Sequence, residues 1–105
     1  MIKCVSMSVD ASGNIWTQKS GIVVMLAAAQ RYRAIKKKGG FTTASRVAVS
    51  NTTTYALDTD GKVNRLKGRV WEKLPGRLST SLSVNENDEL FIVDAGSIYK
   101  MPGDA

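Results

Sequence analysis

Apolar and polar residues alternate over short stretches of this chain, and turn residues separate those stretches at close intervals. Ile2–Val9 alternates loosely and runs into Ser12-Gly13-Asn14; Ile15–Gln18 follows, then Ser20-Gly21, then the apolar run Ile22–Leu26. Arg46–Ser50 sets Val47 and Val49 on one face, and Thr53–Asp58 does the same with Tyr55 and Leu57. A period of two bounded by Gly, Asn, Asp and Ser predicts half-buried β-strands. Asp60-Gly61 is the strongest short hairpin signal. Lys62–Lys67 and Arg69–Leu74 turn about Lys67-Gly68, and Pro75-Gly76 ends the second. Ser81–Val84, Leu90–Asp94 and Ser97–Met101 complete the pattern before Pro102-Gly103.

Three segments repeat one unit: SVDASGNIWTQKSG, AVSNTTTYALDTDG and SVNENDELFIVDAG. Their columns are Val9, Val49 and Val84; Trp16, Tyr55 and Phe91; Gly21, Gly61 and Gly96, the glycines being 40 and 35 residues apart. Such a period belongs to solenoids, propellers and arrays. With four short strands per unit, the expected fold is all-β. It has about eleven strands in about three four-stranded antiparallel, blade-like sheets of a partial β-propeller closed by oligomerisation. All 105 residues form a single repeat domain, with repeats at about 3–40, 41–76 and 77–105. Blade-like units bury their faces only on neighbours, so Trp16, Tyr55 and Phe91 are expected between the sheets.

The segment 24–38 admits two readings. Met25, Ala28, Ala29, Tyr32 and Ile35 recur at helical spacing, with lysines and Gly39 as a helix stop. As a repeat, Tyr32-x-x-Ile35 followed by glycine matches Trp71-x-x-Leu74 followed by Pro-Gly, each column 39 residues apart. The strand reading is preferred, with a protruding loop near Ala27–Gln30.

Composition narrows the chemistry. There is no histidine, which removes the commonest general base and metal ligand. The single Cys4 excludes an intrachain disulfide and reads as a buried apolar residue. No metal, cofactor or catalytic residue is expected, and the chain is not expected to be an enzyme. Asp58, Asp60, Glu86, Asp88, Glu89 and Asp94 fall in turn-rich positions and read as solvated turn residues. No apolar run is long enough to span a membrane, and no secretory signal is visible, which favours a cytoplasmic or virion-associated location. Fifteen basic and nine acidic residues give a net charge of +6. Arg31, Arg33, Lys36, Lys37 and Lys38 cluster into an expected exposed cationic strip, a candidate polyanion site or a solubilising edge strand.

Over about Arg46–Gly103 the chain resembles tectonin-type propeller repeats. The resemblance rests on Trp71, Leu74, Pro75 and Gly76, then Phe91, Asp94, Gly96, Ile98, Tyr99 and Lys100. Val5–Gly40 departs from it, having Tyr32 in place of the tryptophan and no proline before Gly39, and Asn64 stands where Tyr99 would recur. The resemblance implies a lectin or a scaffold without catalysis. A glycan would stack on Trp71, Tyr99 or Tyr32, with Asn51, Asn85, Asp58 and Asp94 as hydroxyl partners. The alternatives are a structural protein of a virion, phage tail or capsid, using the Ala27–Gln30 loop and the basic strand as contacts, and a basic nucleic-acid-binding module. The expected partners are copies of itself, a dimer being favoured, or a larger protein assembly.

Overall fold

A computed structural model of the chain describes residues 6–33, 35–40, 43–50, 52–85 and 87–101. Cys4, Asn51 and Glu86 lie outside the described residues, as does the first half of the expected Ile2–Val9 strand. Among the described residues eleven strands form three antiparallel sheets, with no α-helix. The first sheet holds β1 (Met7–Val9), β2 (Ile15–Lys19), β3 (Ile22–Leu26) and β4 (Ile35–Lys37) in chain order. The second holds β5 (Ala44–Val49), β6 (Thr54–Asp58), β7 (Val63–Lys67) and β8 (Val70–Lys73), likewise in order. The third holds β9 (Ser81–Val84), β10 (Leu90–Asp94) and β11 (Ser97–Met101), three strands among the described residues, in keeping with the expected total of about eleven.

Two turn designs recur among the connections between these strands. Ser20-Gly21 and Ala95-Gly96 have positive φ at both residues (53° and 82°; 51° and 83°), the two-residue hairpin geometry that matches strand twist. The other design recurs at Asp10–Asn14, Asp58–Lys62 and Asn85–Glu89. In each, the first side chain accepts the backbone N–H groups two and four residues on: Ser12 and Asn14, Asp60 and Lys62, Asn87 and Glu89. The fourth position is left-handed: Gly13, Gly61 and Asp88 have φ 83°, 89° and 62°. Asp60-Gly61 therefore sits inside a five-residue turn, because the Asp58 carboxylate supplies bonds that a two-residue hairpin would leave to the backbone.

The helical reading of 24–38 is not realised. Val24, Met25 and Leu26 pair with β2 on one side and β4 on the other, and only Ala28–Gln30 winds into a single 3-10 turn. Strand pairing with two sheet neighbours outweighs the local helix propensity of the alanines. The 3-10 turn lies within the expected Ala27–Gln30 loop, and left-handed Arg31 and Tyr32 end it.

Each sheet has a rear face toward the preceding sheet and a forward face toward the next. Trp16, Val23 and Met25 on the first sheet's forward face pack on Ala44, Val47, Val49 and Ala56 on the second sheet's rear face. Tyr55, Leu57 and Val63 on the second sheet's forward face pack on Leu90, Ile92 and Met101 of the third. The second sheet is thus covered on both sides, and all five residues of β6 are buried. At the inner edge, the Ser8 and Ser6 hydroxyls accept the N–H groups of Val49 and Val47 at 3.0 and 3.3 Å, satisfying amides of an edge strand. The expected burial of the aromatic column holds for Trp16 and Tyr55. Phe91 is only half-buried, because the third sheet's forward face carries no neighbour among the described residues.

Candidate functional site

The outer strands of the first two sheets bound the most promising site. Arg69, Trp71 and Lys73 alternate along the β7–β8 hairpin, and the pairing of Asn64 with Lys73 and Leu66 with Trp71 puts Asn64, Leu66, Trp71 and Lys73 on one face. That face turns to the first sheet, where Leu66 and part of Trp71 join the core. The Trp71 indole donates to the Lys38 carbonyl at 2.9 Å. Gly39 approaches so closely that a Cβ there would lie 2.6 Å from Trp71 Nε1. The rest of the ring lines a cavity of about 420 Å³ with Gly40, Asn64, Arg69, Val70 and Lys73.

The cations here have no carboxylate partner among the described residues. Ion pairs among the described residues join Arg65 to Glu72 (2.6 Å), Arg77 to Asp94 (3.3 Å) and Lys100 to Glu89 (2.7 Å); none takes Arg69 or Lys73. Lys36 stands at the Met25 register position, on the face turned toward this cleft. The buried Asn64 amide donates to the Lys62 carbonyl at 3.3 Å, so the ligand-facing groups are the aromatic wall and two cations without carboxylates among the described residues, a concave site suited to an anionic ligand with an apolar ring face.

The five-cation strip divides. Lys36 pairs with Met25 and Lys37 with Val24, so strand alternation sends them to opposite faces. Lys38 is half-buried, with its ammonium 5.5 Å from the Trp16 ring centroid. Arg31 and Arg33 are exposed in the loop beyond the 3-10 turn.

The remaining candidate residues do not converge on one site. Tyr32 is 45% exposed and its hydroxyl donates to the Gly13 carbonyl at 3.2 Å. The Arg77 guanidinium lies 3.8 Å from the Tyr99 ring centroid, covering that ring face. Asn85 is engaged in its turn: its carbonyl holds the Asn87 and Glu89 N–H groups, and its amide donates to the Glu89 carboxylate. Asp58 and Asp94 share a cavity of about 490 Å³ with Ser45, Asp60, Leu78 and Thr80. Asp58 is buried as the acceptor of its turn, not solvated, and Asp94 pairs with Arg77. No described cluster of three His, Cys, Asp or Glu could hold a metal. No helix among the described residues is long and apolar enough to cross a membrane.

A second cleft, of about 250 Å³, lies between the second and third sheets against Tyr55, Arg65, Leu74, Asp88 and Met101. Asp88 accepts the hydroxyls of Ser50 (2.8 Å), Thr53 (3.1 Å) and Tyr55 (3.4 Å) across the sheets. Burial, reinforced by the neighbouring Asp88 charge, raises the Tyr55 phenol above its usual value against the opposing Arg65. These groups satisfy one another. Sequence reasoning passed over Asn64, Arg69 and Lys73; the period-two pattern around Trp71 carries their signal. No protein-family model and no curated protein matches the chain.

Proposed function

We propose that the three sheets are consecutive blades of a β-propeller, and that the chain is a non-enzymatic module binding an acidic glycan in the Trp71 cleft. The observation that carries this reading is the cavity lined by Trp71, Asn64, Arg69 and Lys73, whose two cations lack carboxylate partners among the described residues. An aromatic ring takes the apolar face of a pyranose, and the two cations take a carboxylate or sulfate. The reading is supported by the order of the sheets, by inner strands that adjoin one another, and by the net charge of +6. A binding module rather than an enzyme fits a chain without histidine, whose cavity-lining Asp58 and Asp94 carboxylates are already bonded.

Calorimetric titration with a sulfated or uronic-acid oligosaccharide, beside its neutral counterpart, tests this. The acidic sugar is expected to bind. Arg69→Glu and Lys73→Glu, both on exposed residues, are each expected to weaken it about 10–100-fold, the loss of a charge-assisted bond. Absence of binding to any acidic sugar at low salt, or equal binding of single-stranded DNA, would overturn it.

A further inference from the structure

The repeat makes the two ends of the stack readable, because each position can be compared under cover and without it. Val23, Val63 and Ile98 each stand two residues after the turn glycine, opposite Gln18, Leu57 and Val93. Val23 and Val63 are 0% and 1% exposed beneath the following sheet, whereas Ile98 is 74% exposed. With half-buried Phe91 and Val93, it forms an apolar forward face with a cavity of about 140 Å³.

The opposite end behaves in the same way. Met7, Val47 and Leu82 share one position of the innermost strand, and Val9, Val49 and Val84 share the next. Val47 and Val49 are buried against the preceding sheet, and Leu82 and Val84 pack on the second core cluster. Met7 and Val9 are 60% and 52% exposed. Half-buried Ile15 and Leu26 lie beside them, around already buried Thr17 and Val24.

We infer that these faces belong to one contact, and that the occupant of each is a second copy of this chain. The forward face of the third sheet repeats the faces that receive a rear face inside the molecule; the rear face of the first repeats those received. A head-to-tail pair makes the same contact twice and closes by a two-fold rotation. Propeller rings close with about 4–8 blades. Two copies supply six sheets, while one supplies three and three copies supply nine. This inference rests on the propeller reading of the sheets and not on the glycan.

Sedimentation equilibrium of the 105-residue chain tests it. A two-chain species is expected at tens of micromolar. Ile98→Asp and Val9→Asp change exposed side chains and should leave the circular dichroism intact. Each is expected to raise the dimer dissociation constant at least about a hundredfold, since a carboxylate would lie unpaired in an apolar contact. An equimolar mixture of the two variants retains one unmodified contact per pair and is expected to regain part of the association. A monomer at about 100 micromolar, a larger ring or filament, or a dimer sensitive to only one substitution would overturn the inference. A dimer that binds no acidic sugar would remove the glycan reading alone; a monomer that binds one would remove this inference alone.

Discussion

Replacing Asp88 separates two opposing effects at one residue. Asp88 occupies the left-handed position that Gly13 and Gly61 take in the sister turns, with φ 62°. It also reaches across to the second sheet, accepting from Ser50 at 2.8 Å and Thr53 at 3.1 Å, with Tyr55 marginal at 3.4 Å. Hydrogen bonds to a charged acceptor contribute about 1.5–3 kcal/mol each. Asp88 is exposed, so water replaces part of that, and the low end gives about 2–3 kcal/mol for the two good bonds together. A left-handed non-glycine residue costs roughly 1–2 kcal/mol. Asp88→Gly removes the bonds and the strain together, for a net loss of about 1 kcal/mol; Asp88→Ala keeps the strain and loses about 2–3 kcal/mol. Urea denaturation is therefore expected to rank wild type above Gly and Gly above Ala. In both variants the Tyr55 phenol, raised by burial and by Asp88, should titrate nearer its usual value in ultraviolet difference spectra. A glycine variant as stable as wild type would refute the claim that this carboxylate holds the two sheets together.

Gly39→Ala is expected to cost about 2–4 kcal/mol, combining a left-handed backbone (φ 71°) with a Cβ 2.6 Å from the Trp71 indole nitrogen. Tryptophan emission shifting to the red along with lower thermal stability would check it. For Asp10, burial opposes ionisation, but bonds from the Trp16 indole, the Asn14 amide and the Ser12 and Asn14 backbone outweigh it, so its carboxyl lies below the usual 3.8. A depressed folded value means stability that is present above the unfolded value and lost as pH falls through the folded one. Acid titration of the unfolding free energy should therefore steepen below pH 3.8, and Asp10→Asn should flatten that limb.

The sheets were legible because the Val, aromatic and Gly columns fix both register and turn position, and a two-residue period leaves little freedom in which face is buried. The fate of individual aromatics was not. Trp71 reads as an exposed platform until Gly39, distant in sequence, is seen pressed against its indole. Tyr99 reads as free until Arg77 covers it. Five neighbouring cations read as one strip, yet the same alternation that located the strands sends Lys36 and Lys37 to opposite sides. Asp88 had a signal that went unused: an aspartate standing where both sister turns carry glycine implies a side chain with a task. Propensity misled at 24–38, where a helical composition is overruled by pairing on both edges of β3.

In every sheet, strands adjacent in space are adjacent in sequence. The chain can therefore fold by successive hairpins, with little of the long loop closure that slows most all-β proteins. Among the described residues only the middle sheet packs on another sheet at both faces, so stability along the stack follows nearest-neighbour coupling and declines toward either end. Amide exchange should be slowest in β6 and faster in β1 and β11. Opening then begins at the two terminal sheets, and a contact that covers both would lock the molecule kinetically as well as complete its surface.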